Sequence, residues 1–174
     1  TVIDALAWTI EHPAASKRDA AIPGDGTPFI VFTAHRRESW GEPLIGICNA
    51  IMRILEVHGE FYALVPLHKN PSVRDIIRSE LGKHPHVIFS EPLDYGSFIH
   101  AMRHCSLILS DSGGIQEEAA ALGKPLLVLG RGAFKEVLED ILDLAHVGVL
   151  QGVNKHLLFA GAALVQLGND LADL

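Results

Sequence analysis

Short runs of continuous apolar residues, separated by longer amphipathic stretches, constrain this chain more than any other feature. Phe29-Ile30-Val31-Phe32 is apolar without interruption, as a strand buried on both faces is. Residues 43–57 follow, with Leu44, Ile47, Ile51, Ile54 and Leu55 at near-helical spacing, which predicts a helix with one buried face. The alternation continues with strands over 61–65, 86–89, 107–109 and 126–129 and helices over 72–81, 94–103 and 114–122. Ser72 and Asp94 are the expected N-caps, and Gly82 and Gly123 the expected stops. Residues 134–142 predict a further helix, 147–150 a last strand and 154–167 a last helix. Strands that alternate with helices pair in parallel, because each connection must cross over the sheet. The expected fold is therefore α/β, a Rossmann-like doubly wound parallel sheet, with ligands beyond the carboxyl ends of the strands. Residues 1–10 predict a leading helix. Pro13, Pro23, Gly24, Gly26 and Pro28 mark a linker, so that 1–28 precede a domain spanning 29–174.

Composition bounds the function. The chain has 174 residues, 48% of them hydrophobic, enough for one domain with a full core. Its 14 basic and 21 acidic residues leave a formal charge of −7, which argues against nucleic acid and anionic membranes as partners. No apolar stretch approaches the roughly 20 residues of a membrane span. Thr1 to Leu6 carries neither an initiator Met nor a basic segment ahead of an apolar core, as expected of a piece of a longer protein. Cys48 and Cys105 have no neighbouring cysteine and are expected as buried free thiols, in a reducing, cytoplasmic setting. Among ten histidines only His84 and His86 stand close, with no cysteine or carboxylate to support them. Neither a metal nor another cofactor is expected.

The stretch Ser110-Asp111-Ser112-Gly113-Gly114-Ile115-Gln116-Glu117-Glu118 leaves a strand and opens a helix. Two glycines let a ligand approach the backbone closely. The unpaired N–H groups of a first helical turn suit phosphate. Ser112 adds a hydroxyl, and Glu118, one turn on, can accept from both hydroxyls of a ribose. The bland alternative is a tight strand-to-helix turn with no ligand. Asp-Ser-Gly-Gly also surrounds the nucleophile of chymotrypsin-like proteases, but that fold is all-β with a histidine and an aspartate upstream. After the first strand, His35, Arg36 and Arg37 can face an anion, with forked guanidinium donors, or form a solvated charged loop. His68 and Asn70 follow the second strand between Pro66 and Pro71. Phe98 is either core or a ring for stacking a base.

Taken together, these stretches resemble the non-hydrolysing UDP-N-acetylglucosamine 2-epimerases. The resemblance rests on Thr33-Ala34-His35-Arg36-Arg37-Glu38-Ser39 with Trp40-Gly41-Glu42-Pro43-Leu44, and on His68 with Asn70-Pro71-Ser72-Val73-Arg74. Pro92-Leu93-Asp94-Tyr95 with Phe98, the Ser110 to Ala119 run and Leu122-Gly123-Lys124-Pro125 complete it. The likeness is strong from 1 to 129 and weak beyond. It implies the C-terminal half of a two-domain GT-B type fold, with the reaction in the cleft between halves. It implies that Ser112, Gly113 and Gly114 hold the diphosphate of UDP and that Glu118 holds the ribose. The backbone near Phe98 would read uracil, and His35 would stand beside the phosphates as the catalytic candidate. Arg36 or Arg37 would contact substrate or a regulatory nucleotide. Family chemistry inverts C2 of UDP-N-acetylglucosamine, by elimination of UDP to a 2-acetamidoglucal and re-addition, giving UDP-N-acetylmannosamine. The family is often homodimeric.

Two departures qualify this. The family's acid and base carboxylates belong to its N-terminal domain, so the chain by itself is expected to bind but not to turn over. The family also carries a run resembling RDTTERPE where this chain has Gly130-Arg131-Gly132-Ala133-Phe134-Lys135-Glu136-Val137. A GT-B glycosyltransferase domain and a non-catalytic UDP-sugar-binding module are the alternatives. The His-Arg-Arg-Glu run favours the epimerase.

Overall fold

The computed structural model describes residues 2–12, 19–37, 40–129, 157–160 and 163–166. The first strand β1 (Phe29–Thr33) is buried along its whole length. It is followed by α2 (Glu42–Val57) and β2 (Tyr62–Pro66), then α3 (Pro71–Leu81) and β3 (Val87–Ser90). The helix α4 (Tyr95–His104), β4 (Leu107–Ser110), α5 (Gly113–Ala121) and β5 (Leu126–Val128) complete the alternation, and α1 (Val2–Glu11) precedes it. Strands β1 to β5 pair in parallel in the order β3-β2-β1-β4-β5. The order reverses between β1 and β4, the switch point at which doubly wound sheets open a crevice. The fold is a Rossmann-like doubly wound α/β sheet.

Side-chain alternation along β1 divides the core. Ile30 and Phe32 face Leu44, Ile51 and Ile54 of α2 and Val73, Ile77 and Leu81 of α3. Phe29 and Val31 face Ile99 and Met102 of α4, Ile115 and Ala119 of α5, and Leu6 of α1. Both faces are thus covered, which is why the strands are apolar without a break. The leading helix packs on the same face as α4 and α5, and Ile22 from the following turns joins that cluster.

Two sequence expectations are corrected. Ser72 does not cap α3: Asn70 does, its side-chain oxygen accepting from Ser72 N–H at 3.0 Å, with Pro71 in the first turn. A proline there has its φ set for the helix and no N–H to satisfy, so the cap falls one residue before it. The helix expected over 154–167 is absent where described. Instead β6 (Leu157–Ala160) pairs in parallel with β5, and β7 (Ala163–Gln166) pairs antiparallel with β6. Four contiguous apolar residues fit a buried strand as well as a helix, and the open edge of β5 supplies a partner that local sequence does not reveal. The helix over 134–142 and the strand over 147–150 lie outside the described residues.

Asp94 caps α4 as expected, accepting from Ser97 N–H at 2.7 Å. Gly123 ends α5 at φ +62°, a conformation L side chains rarely adopt. Cys48 and Cys105 are free and buried. Burial pushes both thiols up to about 12, which makes them packing groups rather than nucleophiles.

Candidate functional site

Parallel register sets Thr33 beside Ser110 at the carboxyl ends of β1 and β4, and their hydroxyls share a 2.9 Å hydrogen bond. The next residue, Asp111, is 1% exposed. Its carboxylate accepts from His35 N–H at 2.8 Å and Arg36 N–H at 2.9 Å. The loops leaving two adjacent strands are thereby tied together across 76 residues of sequence. In the sequence Asp111 is only one residue of its motif, and its tethering role has no local signal. An aspartate after a strand ordinarily reads as turn chemistry.

Beyond the tether, Ser112 is the N-cap residue of α5, with no hydrogen bond from its side chain to the helix. Its own N–H is held by Ser110 Oγ at 3.1 Å. Gly113 and Gly114 begin the helix. Neither has positive φ, and a Cβ built on either meets nothing within 4 Å. The chain's own conformation therefore has no need of glycine at these two positions. What a side chain there would fill is open space over the first N–H groups of a helix, where an anion is favoured.

A cavity of about 490 Å³ opens at the same end of the sheet. Thr33 at the end of β1 and His35 just after it line the cavity, as do Leu67, His68 and Lys69 after β2. Leu93, Tyr95, Phe98 and Ile115 line it from the α4 and α5 side. The Phe98 ring packs against the core cluster under α4 and also lines the cavity. Glu118, one turn after Gly114, is buried at 6% exposure, and Tyr95 Oη donates to its Oε1 at 2.9 Å. Burial raises the Glu118 pKa, the Tyr95 hydrogen bond opposes the rise and Glu117 adds to it. In the sequence Tyr95 stands out only within Pro92-Leu93-Asp94-Tyr95, since nothing near it points to a carboxylate 23 residues away. A larger cavity, about 560 Å³, lies at the opposite, amino ends of the strands, and none of the motif residues lines it.

The ring of His35 stands edge-on to His68, with centroids 5.7 Å apart. Crowding by protein lowers its pKa, Asp111 raises it and His68 lowers it, with the net shift downward. His68 is itself placed by accepting from Asn70 N–H at 3.1 Å. Arg36 and Arg37 are exposed on the loop after β1 and do not line the cavity. The structure thus brings His35, Phe98, Ser112, Gly113, Gly114 and Glu118 to one end of the sheet, with Arg36 and Arg37 exposed on the same loop as His35 and outside the cavity lining.

The profile of the UDP-N-acetylglucosamine 2-epimerase family matches residues 1–142. The chain belongs to that family. The UDP-N-acetylglucosamine 2-epimerase of Escherichia coli (strain K12) is 41% identical over 136 residues, which are 74% of this chain and 36% of that protein. Among solved structures, the UDP-GlcNAc 2-epimerase of Neisseria meningitidis, bound to UDP-GlcNAc, superposes with a TM-score of 0.78 at 33% identity. It covers 86% of this chain and 47% of its own. Staphylococcus aureus MnaA, solved with UDP, gives 0.76 at 31% identity over 86% of this chain and 45% of its own. The chain spans about a third to a half of the length of these epimerase relatives, and within them it is a C-terminal part. No helix among the described residues is long and apolar enough to cross a membrane.

Proposed function

We propose that this chain is the UDP-binding part of an epimerase that interconverts UDP-N-acetylglucosamine and UDP-N-acetylmannosamine. Supporting it most is the helix start at Gly113 and Gly114, open above and placed at the switch point beside a cavity. Ser112, Gly113 and Gly114 take the diphosphate, whose charge meets the N-terminus of α5. The same dipole and N–H groups stabilise the charge on UDP as it departs from C1 of the sugar, the moment at which electrostatic help counts in catalysis. Glu118 accepts from the ribose hydroxyls, and the cavity beside Phe98 receives uracil. His35, held neutral by its surroundings, lies beside the phosphates. Arg36 and Arg37 meet the sugar or a regulatory nucleotide across the cleft, where their exposure leaves them accessible. The two buried thiols fit a reducing compartment, and we place the protein in the cytoplasm. Residues 29–174 form the nucleotide-binding domain, preceded by the helix and linker of 1–28.

Titration calorimetry tests the site. UDP is expected to bind at least roughly tenfold more tightly than uridine, since charge-assisted hydrogen bonds contribute about 1.5–3 kcal/mol. Equal affinities for the two would remove the diphosphate from the start of α5.

A further inference from the structure

Tyr95 is 42% exposed, yet its hydroxyl is committed to a carboxylate that is only 6% exposed. The first turn of α4 fixes where that ring stands. Asp94 accepts from Ser97 N–H at 2.7 Å, and its carbonyl accepts from Phe98 N–H at 2.9 Å. Tyr95 and Phe98, one turn apart on α4, both line the cavity. A buried carboxylate with no donor takes up a proton, and then meets a ligand hydroxyl with a donor of its own. A donor already in place opposes this, as the Tyr95 hydroxyl does at Glu118.

We propose that Tyr95 is a positioning residue for the nucleotide: its hydroxyl holds Glu118 Oε1 so that the carboxylate stays an acceptor aimed at the ribose diol. This rests on the assignment of Glu118 to the ribose. An ionised carboxylate offers about four lone-pair sites. Tyr95 uses one, and a cis-diol needs two, so the tyrosine and the sugar are held together rather than in competition. Burial, then the bond to Glu118, pushes the Tyr95 hydroxyl up to about 12, so it remains a donor at neutral pH.

The test is calorimetry of UDP and 2′,3′-dideoxy-UDP with the unaltered chain, Tyr95→Phe and Glu118→Gln. Phenylalanine keeps the exposed ring, and a thermal melt checks that the fold is retained. Tyr95→Phe should weaken UDP by roughly five- to tenfold and dideoxy-UDP by less than about twofold, the size of one lost hydrogen bond. Glu118→Gln should erase the preference for UDP over its dideoxy analogue. Equal weakening of both ligands by Tyr95→Phe would make the tyrosine a packing residue and overturn the proposal. Tighter UDP binding would make the hydroxyl a competitor and overturn it too. If the unaltered chain binds both ligands alike, or neither, the ribose assignment fails first and Tyr95 falls with it.

Discussion

The imidazole of His35 is pulled two ways: the protein around it withholds water, and the Asp111 carboxylate that anchors its backbone favours the proton. Withheld water wins, with His68 adding to it, so the pKa lies below 6.5. Near pH 7 the ring is neutral and serves as hydrogen-bond donor or acceptor without adding charge. Between the lowered folded value and 6.5 the unfolded chain binds the proton more readily. Stability is therefore lost as pH falls through that window and is unaffected by His35 above it. NMR titration of the ring should give a midpoint below 6.5, moved upward by His68→Gln and upward again by UDP, whose phosphates favour the imidazolium. A midpoint at or above 6.5 in the unaltered, ligand-free chain would mean that Asp111 governs the ring.

At the scale of the element, α5 separates what the fold needs from what a ligand needs. Gly114 lies in a helix, where glycine is less stable than alanine by roughly 0.5–1 kcal/mol. A Cβ there meets no protein atom. Gly114→Ala should accordingly raise stability by up to about that amount in urea unfolding, while its methyl group stands in the diphosphate's space and weakens UDP roughly tenfold or more. Lower stability with unchanged UDP affinity would show that the glycine serves packing instead. The start of α3 carries a different lesson. Asn70 and Ser72 are both competent caps, and the proline between them decides which one acts.

For the whole molecule, a single sheet supplies one wall of a site. The described cavity is open, and the proposed function assigns the acid and base for C2 to groups outside this chain. Proton abstraction needs a base within hydrogen-bond reach, and a glucal intermediate needs shelter from water. The 174 residues alone should therefore incorporate no deuterium at C2 of UDP-N-acetylglucosamine in heavy water, followed by NMR. Incorporation that scales with protein and disappears in His35→Asn would place the catalytic base in this chain.

The order and kind of elements from residue 2 to 128 were legible in the sequence, because buried strands and one-faced helices differ in apolar period. The Ser112 to Glu118 run was legible as a strand-to-helix turn for the same reason. Local sequence could not determine the strand pairing at residues 157–160, because four apolar residues carry no period. Nor could it join Asp111 to His35, or Tyr95 to Glu118. Those contacts exist because β1 and β4 became neighbours and α4 and α5 came to cover the same face of the sheet. Neighbourhood in a parallel sheet is decided by how both faces are buried together, and only the folded chain satisfies that condition.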